Sequence, residues 1–153
     1  MYKIKCLGLA LLALNVGIAT AEGLPSDGQK AGTFKVISGS VKAMRDETSY
    51  SVKIGDPVYI GDKIITAAAS FAGITLYDNT RLTSGPESSV VIDRFAFSTT
   101  THEGELSASI AKGSLAVISG QLAKTNPERV VFNTSTMTVG VRGTEFIIEA
   151  HGE

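Results

Sequence analysis

The sequence predicts an all-β protein: a single compact domain of many short strands, built as a sandwich or roll, or alternatively as a short β-solenoid-like roll. Three observations carry that expectation. The apolar runs are brief and alternate with period two, the spacing of a sheet with one buried face. Clusters of glycine, proline, serine and Asx residues interrupt them at short intervals, which is turn chemistry. No window of ordinary helix length carries a 3.6-residue apolar stripe, and Ala67-Ala68-Ala69, which favours helix, is only three residues long.

The chain of 153 residues opens on a leader pattern. Lys3 and Lys5 precede a mostly apolar stretch from Leu7 to Ile18, and Ala19-Thr20-Ala21 offers small residues before a cut ahead of Glu22. The apolar stretch falls short of the roughly 20 residues a spanning helix needs. Residues 1–21 are therefore expected to be a signal peptide, and the mature chain to be periplasmic or secreted without a transmembrane anchor. Removing them leaves 12 basic and 15 acidic residues, a net charge of −3. That balance provides no basic footprint for nucleic acid. The single cysteine, Cys6, leaves with the leader, so the core must hold without disulfides.

Glu22 to Gly32, polar and rich in glycine, is expected to be a flexible tether; the domain proper is expected over 33–149, with a tail over 150–153. Thr33 to Ala43 carries Phe34, Val36 and Val41 around a bend at Ser38-Gly39-Ser40. Arg45 to Ser49 is a charged hairpin-type loop, and Tyr50 to Ile54 another short strand. Gly55-Asp56 and Gly61-Asp62 then make two corners around Val58–Ile60, because glycine supplies positive φ and aspartate caps turn amides. The six-residue recurrence could also mark solenoid coils.

Ser70–Tyr77 and Thr80–Thr83 flank Asp78-Asn79, a hairpin signal in which both turn residues tolerate the left-handed region. Ser88–Phe97, Glu105–Ile110, Gly113–Ser119 and Arg129–Asn133 read as further strands, with a polar loop over Ser98–Gly104 and a connection over Gly120–Glu128. The expected core is Phe34, Val36, Val58, Ile64, Ile74, Leu76, Leu82, Ile92, Leu106, Ile110, Leu115, Val117, Val139, Val141 and Phe146.

The last stretch, Thr136 to Ile148, is the most informative. Met137, Val139 and Val141 share one face, expected to be buried, before Arg142-Gly143-Thr144 interrupts them. An unbroken ladder would turn Glu145 inward and Phe146 outward. A bulge or corner at Gly143 resets the phase, so Val141 and Phe146 should face the core and Glu145 the solvent. Arg142 is expected at the surface, or as a clamp on carbonyls freed at the break.

No catalytic, cofactor or metal site is expected. His102 lies in the polar loop and His151 in the tail, with no nucleophile-elbow motif in the chain. There is no cysteine pair, no His-x-x-x-His and no EF-hand spacing. Asp56 and Asp62 could be drawn as calcium ligands, but each also suits its own turn. Gly143-Thr144 lacks the lysine and helix of a phosphate loop.

Val141-Arg142-Gly143-Thr144-Glu145-Phe146 resembles the signature near the end of the FecR-type domain. The resemblance runs from Thr33 to Ile148, through Ser38-Gly39-Ser40-Val41, the double Gly-Asp segment and Gly113-Ser114-Leu115-Ala116-Val117. Its structural signature here is Gly55, Asp56, Gly61, Asp62, Arg142, Gly143 and Thr144. It implies an extracytoplasmic module of sensory regulators or envelope proteins. The function expected is an exported, non-enzymatic module that binds an envelope protein or a glycan, with a regulatory role as one reading. The alternatives are a structural unit assembling through a sheet edge and a small secreted hydrolase.

Overall fold

The computed structural model describes residues 28–142 and 145–152. The expected leader, most of the expected tether, Gly143, Thr144 and Glu153 lie outside the described residues. The described chain forms β1 (Lys30–Ser38), β2 (Val41–Arg45), β3 (Thr48–Ser51), β4 (Pro57–Tyr59), β5 (Lys63–Thr66), β6 (Phe71–Leu76), β7 (Arg81–Ser84) and β8 (Ser89–Phe97). There follow β9 (Gly104–Ile118), a short helix α1 (Gln121–Thr125), a 3-10 turn (Pro127–Arg129), β10 (Val130–Asn133), β11 (Thr138–Gly140) and β12 (Glu145–Ala150). The protein is all-β, as its short alternating runs require.

The strands make one 12-stranded sheet that curls into a half-barrel around its own core. β9 is its spine. Sequence patterning suggests two strands here, but the structure joins them into one of 15 residues. The first half pairs with β8 and β10, and the second half with β7 and β12. Two arms result, β3-β2-β5-β8 with β10-β11 on one half and β4-β1-β6-β7 with β12 on the other. Gly113 lies where the halves meet, at φ +88°, and a Cβ there would sit 2.1 Å from Ser88 Oγ. Only glycine lets the strand turn this corner against its neighbour. All pairings are antiparallel except β9–β10, so the recurrent Gly-Asp corners belong to a roll and not to stacked solenoid coils.

The core is a set of cross-strand rows. Phe34, Ile74, Leu82, Val117 and Phe146 stand opposite one another across five strands of one arm. Ala43, Ile64, Val90 and Ile110 do the same across the other. Phe132 and Phe146 join the arms edge to face, with centroids 5.5 Å apart. Every expected core residue is buried except three. Val139 and Phe146 are half-buried against the core, and Val36 is 47% exposed. Val36 fails because the β1–β6 register shifts between Phe34 and Val36, so Lys35 is an extra residue and the phase inverts.

The expected tether contributes residues to the sheet: β1 starts at Lys30, and Ala31 and Gly32 are buried. A Cβ on Gly32 would lie 2.3 Å from Thr75 O, so close strand packing holds this end down. The Asp78-Asn79 hairpin forms as read, with Asn79 at φ +65°. Its aspartate is fully buried, accepting from Thr80 N–H at 3.1 Å and Thr80 Oγ1 at 2.6 Å. Asp78 O accepts Gln121 N–H at 2.8 Å, which ties the β6–β7 turn to the start of α1.

Candidate functional site

The two Gly-Asp corners fold alike at the backbone and differ in what their carboxylates do. Gly55 and Gly61 both have positive φ, +96° and +87°. Asp56 accepts the Lys53 N–H at 2.8 Å and stays near the surface. Asp62 accepts the Tyr59 N–H at 3.0 Å, closing its own turn, but it is also fully buried. Burial of a carboxylate demands a partner, and Arg45 supplies it. Arg45 Nε reaches Asp62 Oδ1 at 2.6 Å and Nη2 reaches Oδ2 at 2.8 Å, a two-pronged ion pair.

Two tyrosines complete the cluster. The Arg45 guanidinium lies 3.8 Å from the centre of the Tyr59 ring, a cation–π contact. Its Nη2 donates to Tyr50 Oη at 2.9 Å, and the Tyr50 hydroxyl points to Asp62 Oδ2 at 3.3 Å. Bonding to Asp62 holds Arg45 above its ordinary pKa, and burial followed by the Asp62 charge pushes Tyr50 up to about 12. The cluster ties the β2–β3 hairpin to the β4–β5 turn. Its groups satisfy one another, which makes it a fastening of the fold.

Arg45 does not belong to the expected loop over Arg45–Ser49: it is the last residue of β2 and 7% exposed. A signal for this stands in the sequence, because Arg45 shares the phase of buried Val41 and Ala43. Asp62 likewise shares the phase of Ile64 and Thr66.

The second constellation lies where the arms part. β11 ends at Gly140, and the chain crosses to the other arm before β12 begins at Glu145. The stretch expected as one interrupted strand is thus two strands, β11 on β10 and β12 on β9. The expected phase holds after the break: Val141 and Ile148 are buried, Phe146 is half-buried against the core, and Glu145 and Ile147 are exposed. Met137 departs from it at 55% exposed, because β11 starts only at Thr138 and the turn before it faces solvent. Arg142 is exposed, the plainer of its two readings. Gly143 and Thr144, the rest of the signature, lie outside the described residues.

A groove of about 430 Å³ occupies this seam. β11 and the crossing contribute Val139, Val141 and Arg142, and β12 contributes all five residues from Glu145 to Glu149. Among the described residues, β11 pairs only with β10 and β12 only with β9, so both present an open edge. The histidines are elsewhere: His102 is exposed and stacks on Phe97 at 6.1 Å, and His151 is exposed beyond β12. Among the described residues no three His, Cys, Asp or Glu side chains gather in a metal-holding group, and no helix is long and apolar enough to cross a membrane.

These features define an all-β module of short, glycine-cornered strands, fastened by a buried ion pair and open at the seam between β11 and β12. The chain belongs to the FecR family: residues 62–153 match it, under the description FecR protein. The match begins at Asp62 and so includes half of the buried ion pair, β5 to β12 and the seam, whereas the resemblance read from the sequence began at Thr33. Comparison with curated proteins and with solved structures found no match.

Proposed function

We propose that the chain is an exported, non-enzymatic FecR-like module that binds a partner protein in the cell envelope, periplasmic or secreted, and serves regulation through that contact. One observation carries the reading: the exposed apolar side chains of Met137 and Ile147 border a groove at the open seam of the half-barrel. Apolar surface gathered beside a groove is the usual mark of an interaction site. Val139, Val141, Phe146 and Ile148 make the lining largely aliphatic with one ring, which favours a polypeptide over a glycan as partner. The leader pattern of residues 1–21 supports export.

The test is photo-crosslinking in the native envelope, with the reactive residue in place of Ile147 or, as control, His102. The expected result is mature protein beginning at Glu22 and a polypeptide adduct from position 147 only. Full-length chain retained in the membrane would overturn export. A glycan adduct, or adducts from position 102 alone, would overturn the choice of partner and surface.

A further inference from the structure

We propose that the occupant of the seam is an extended strand from the partner, added to the open edge of β12, with a basic–apolar–basic alternation on its solvent side. This rests on the binding reading above and names its chemistry. The groove is lined by five consecutive residues of β12, Glu145 to Glu149. Consecutive strand residues point to opposite faces. A groove that touches both faces therefore runs along the edge of the strand, where backbone N–H and C=O groups lack a ladder partner among the described residues. The ligand form that satisfies such an edge is another strand.

The side chains of β12 set the pattern. Glu145, Ile147 and Glu149 face solvent, while Phe146 and Ile148 face the core side. No ion pair among the described residues engages Glu145 or Glu149. Cross-strand neighbours on one face interact directly, opposite charges favourably and like charges unfavourably. The complement of Glu-Phe-Ile-Ile-Glu is thus a five-residue strand with lysine or arginine at both ends, a small or apolar residue opposite Ile147, and two apolar residues toward Phe146, Ile148 and Val141. The glutamates are symmetric about Ile147, so the pattern serves either strand direction.

The same charges argue against a second copy of this chain. Antiparallel self-pairing centred on Ile147 sets Glu145 against Glu149 twice, and parallel in-register pairing sets each glutamate on itself. Arg142 borders the groove, but it is on the crossing and not on β12.

The test uses the full mature chain and capped synthetic peptides containing Arg-Val-Val-Val-Lys, the acidic Glu-Val-Val-Val-Glu, and the basic peptide N-methylated at alternate amides. Binding is followed by calorimetry, and hydrogen exchange locates it. We expect the basic peptide to bind about tenfold or more tighter than the acidic one, from two charge reversals across the strand pair. Its binding should protect the outward amides of β12, those not bonded to β9, and N-methylation should abolish it. In Glu145→Lys/Glu149→Lys, whose changes are at exposed positions, the preference should reverse toward the acidic peptide.

Equal binding of both peptides, protection away from β12, or an unchanged preference in the double variant would overturn the proposal. Slow exchange in the peptide-free protein at the outward amides of β12, those not bonded to β9, whether from self-association or from another segment of the chain, would overturn it too. If the double variant still crosslinks the envelope partner from position 147, this inference falls while the binding reading stands.

Discussion

Asp62→Ala should be the most damaging single substitution among the residues of the two glycine corners. In the folded protein its carboxylate is fully buried, takes the Arg45 guanidinium at 2.6 and 2.8 Å, and accepts the Tyr59 N–H at 3.0 Å. Alanine leaves the guanidinium 7% exposed with its counter-charge gone. Breaking a buried pair from one side costs about 3–5 kcal/mol, chiefly through the charge left behind. That is a large fraction of the roughly 5–15 kcal/mol by which domains are stable. Arg45→Met/Asp62→Leu removes both charges and keeps apolar volume, so it should recover most of the loss, short of the lost turn bond. Urea denaturation followed by far-ultraviolet circular dichroism measures each variant. A cost below about 1 kcal/mol for Asp62→Ala, or a double variant as unstable as the sum of its singles, would refute the view that these charges are mutually dependent.

Tyr50 gives the pH dependence. Its pKa rises to about 12 in the folded protein, against about 10 unfolded. The neutral phenol is the form folding favours, so this stability is fully present below about pH 10 and is lost as pH climbs toward 12. Tyr50→Phe should flatten that part of the stability–pH curve; an unchanged curve would remove Tyr50 from the cluster. Gly113→Ala should cost more than Gly61→Ala. Both have positive φ, but a Cβ meets Ser88 Oγ at 2.1 Å in the first and nothing within 4 Å in the second. Thermal midpoints in the reverse order would show that the spine does not turn at Gly113. Leu76→Ala should cost about 2–5 kcal/mol, and Val36→Ala within about 0.5 kcal/mol of zero; a large cost at Val36 would deny the register shift that turns it outward.

The all-β class was legible because period-two burial is a local property. From Ser70 to Ser84 every even-numbered residue is buried, straight through the Asp78-Asn79 turn. The same alternation sufficed for the exposure of Glu145 and the burial of Ile148, since an inward carboxylate is costly enough to force a change of phase. The sequence also carried the family resemblance, in the order of its strand and turn pieces. Partner choice was another matter. Asp62 could be read as a turn cap, but its ion pair with Arg45 joins residues 17 apart across the β2–β3 hairpin and the β4–β5 turn, and no local pattern encodes that meeting. Val36 departs from the alternation because of one extra residue in β1, which is visible only against the register of β6. The seam belongs to the tertiary structure for the same reason. Only the pairing of β11 with β10 and β12 with β9 separates two apolar runs that are nearly continuous in sequence, and that separation opens the edge between them. Alternation assigns a face to each residue; which strand lies beside which depends on contacts between distant segments.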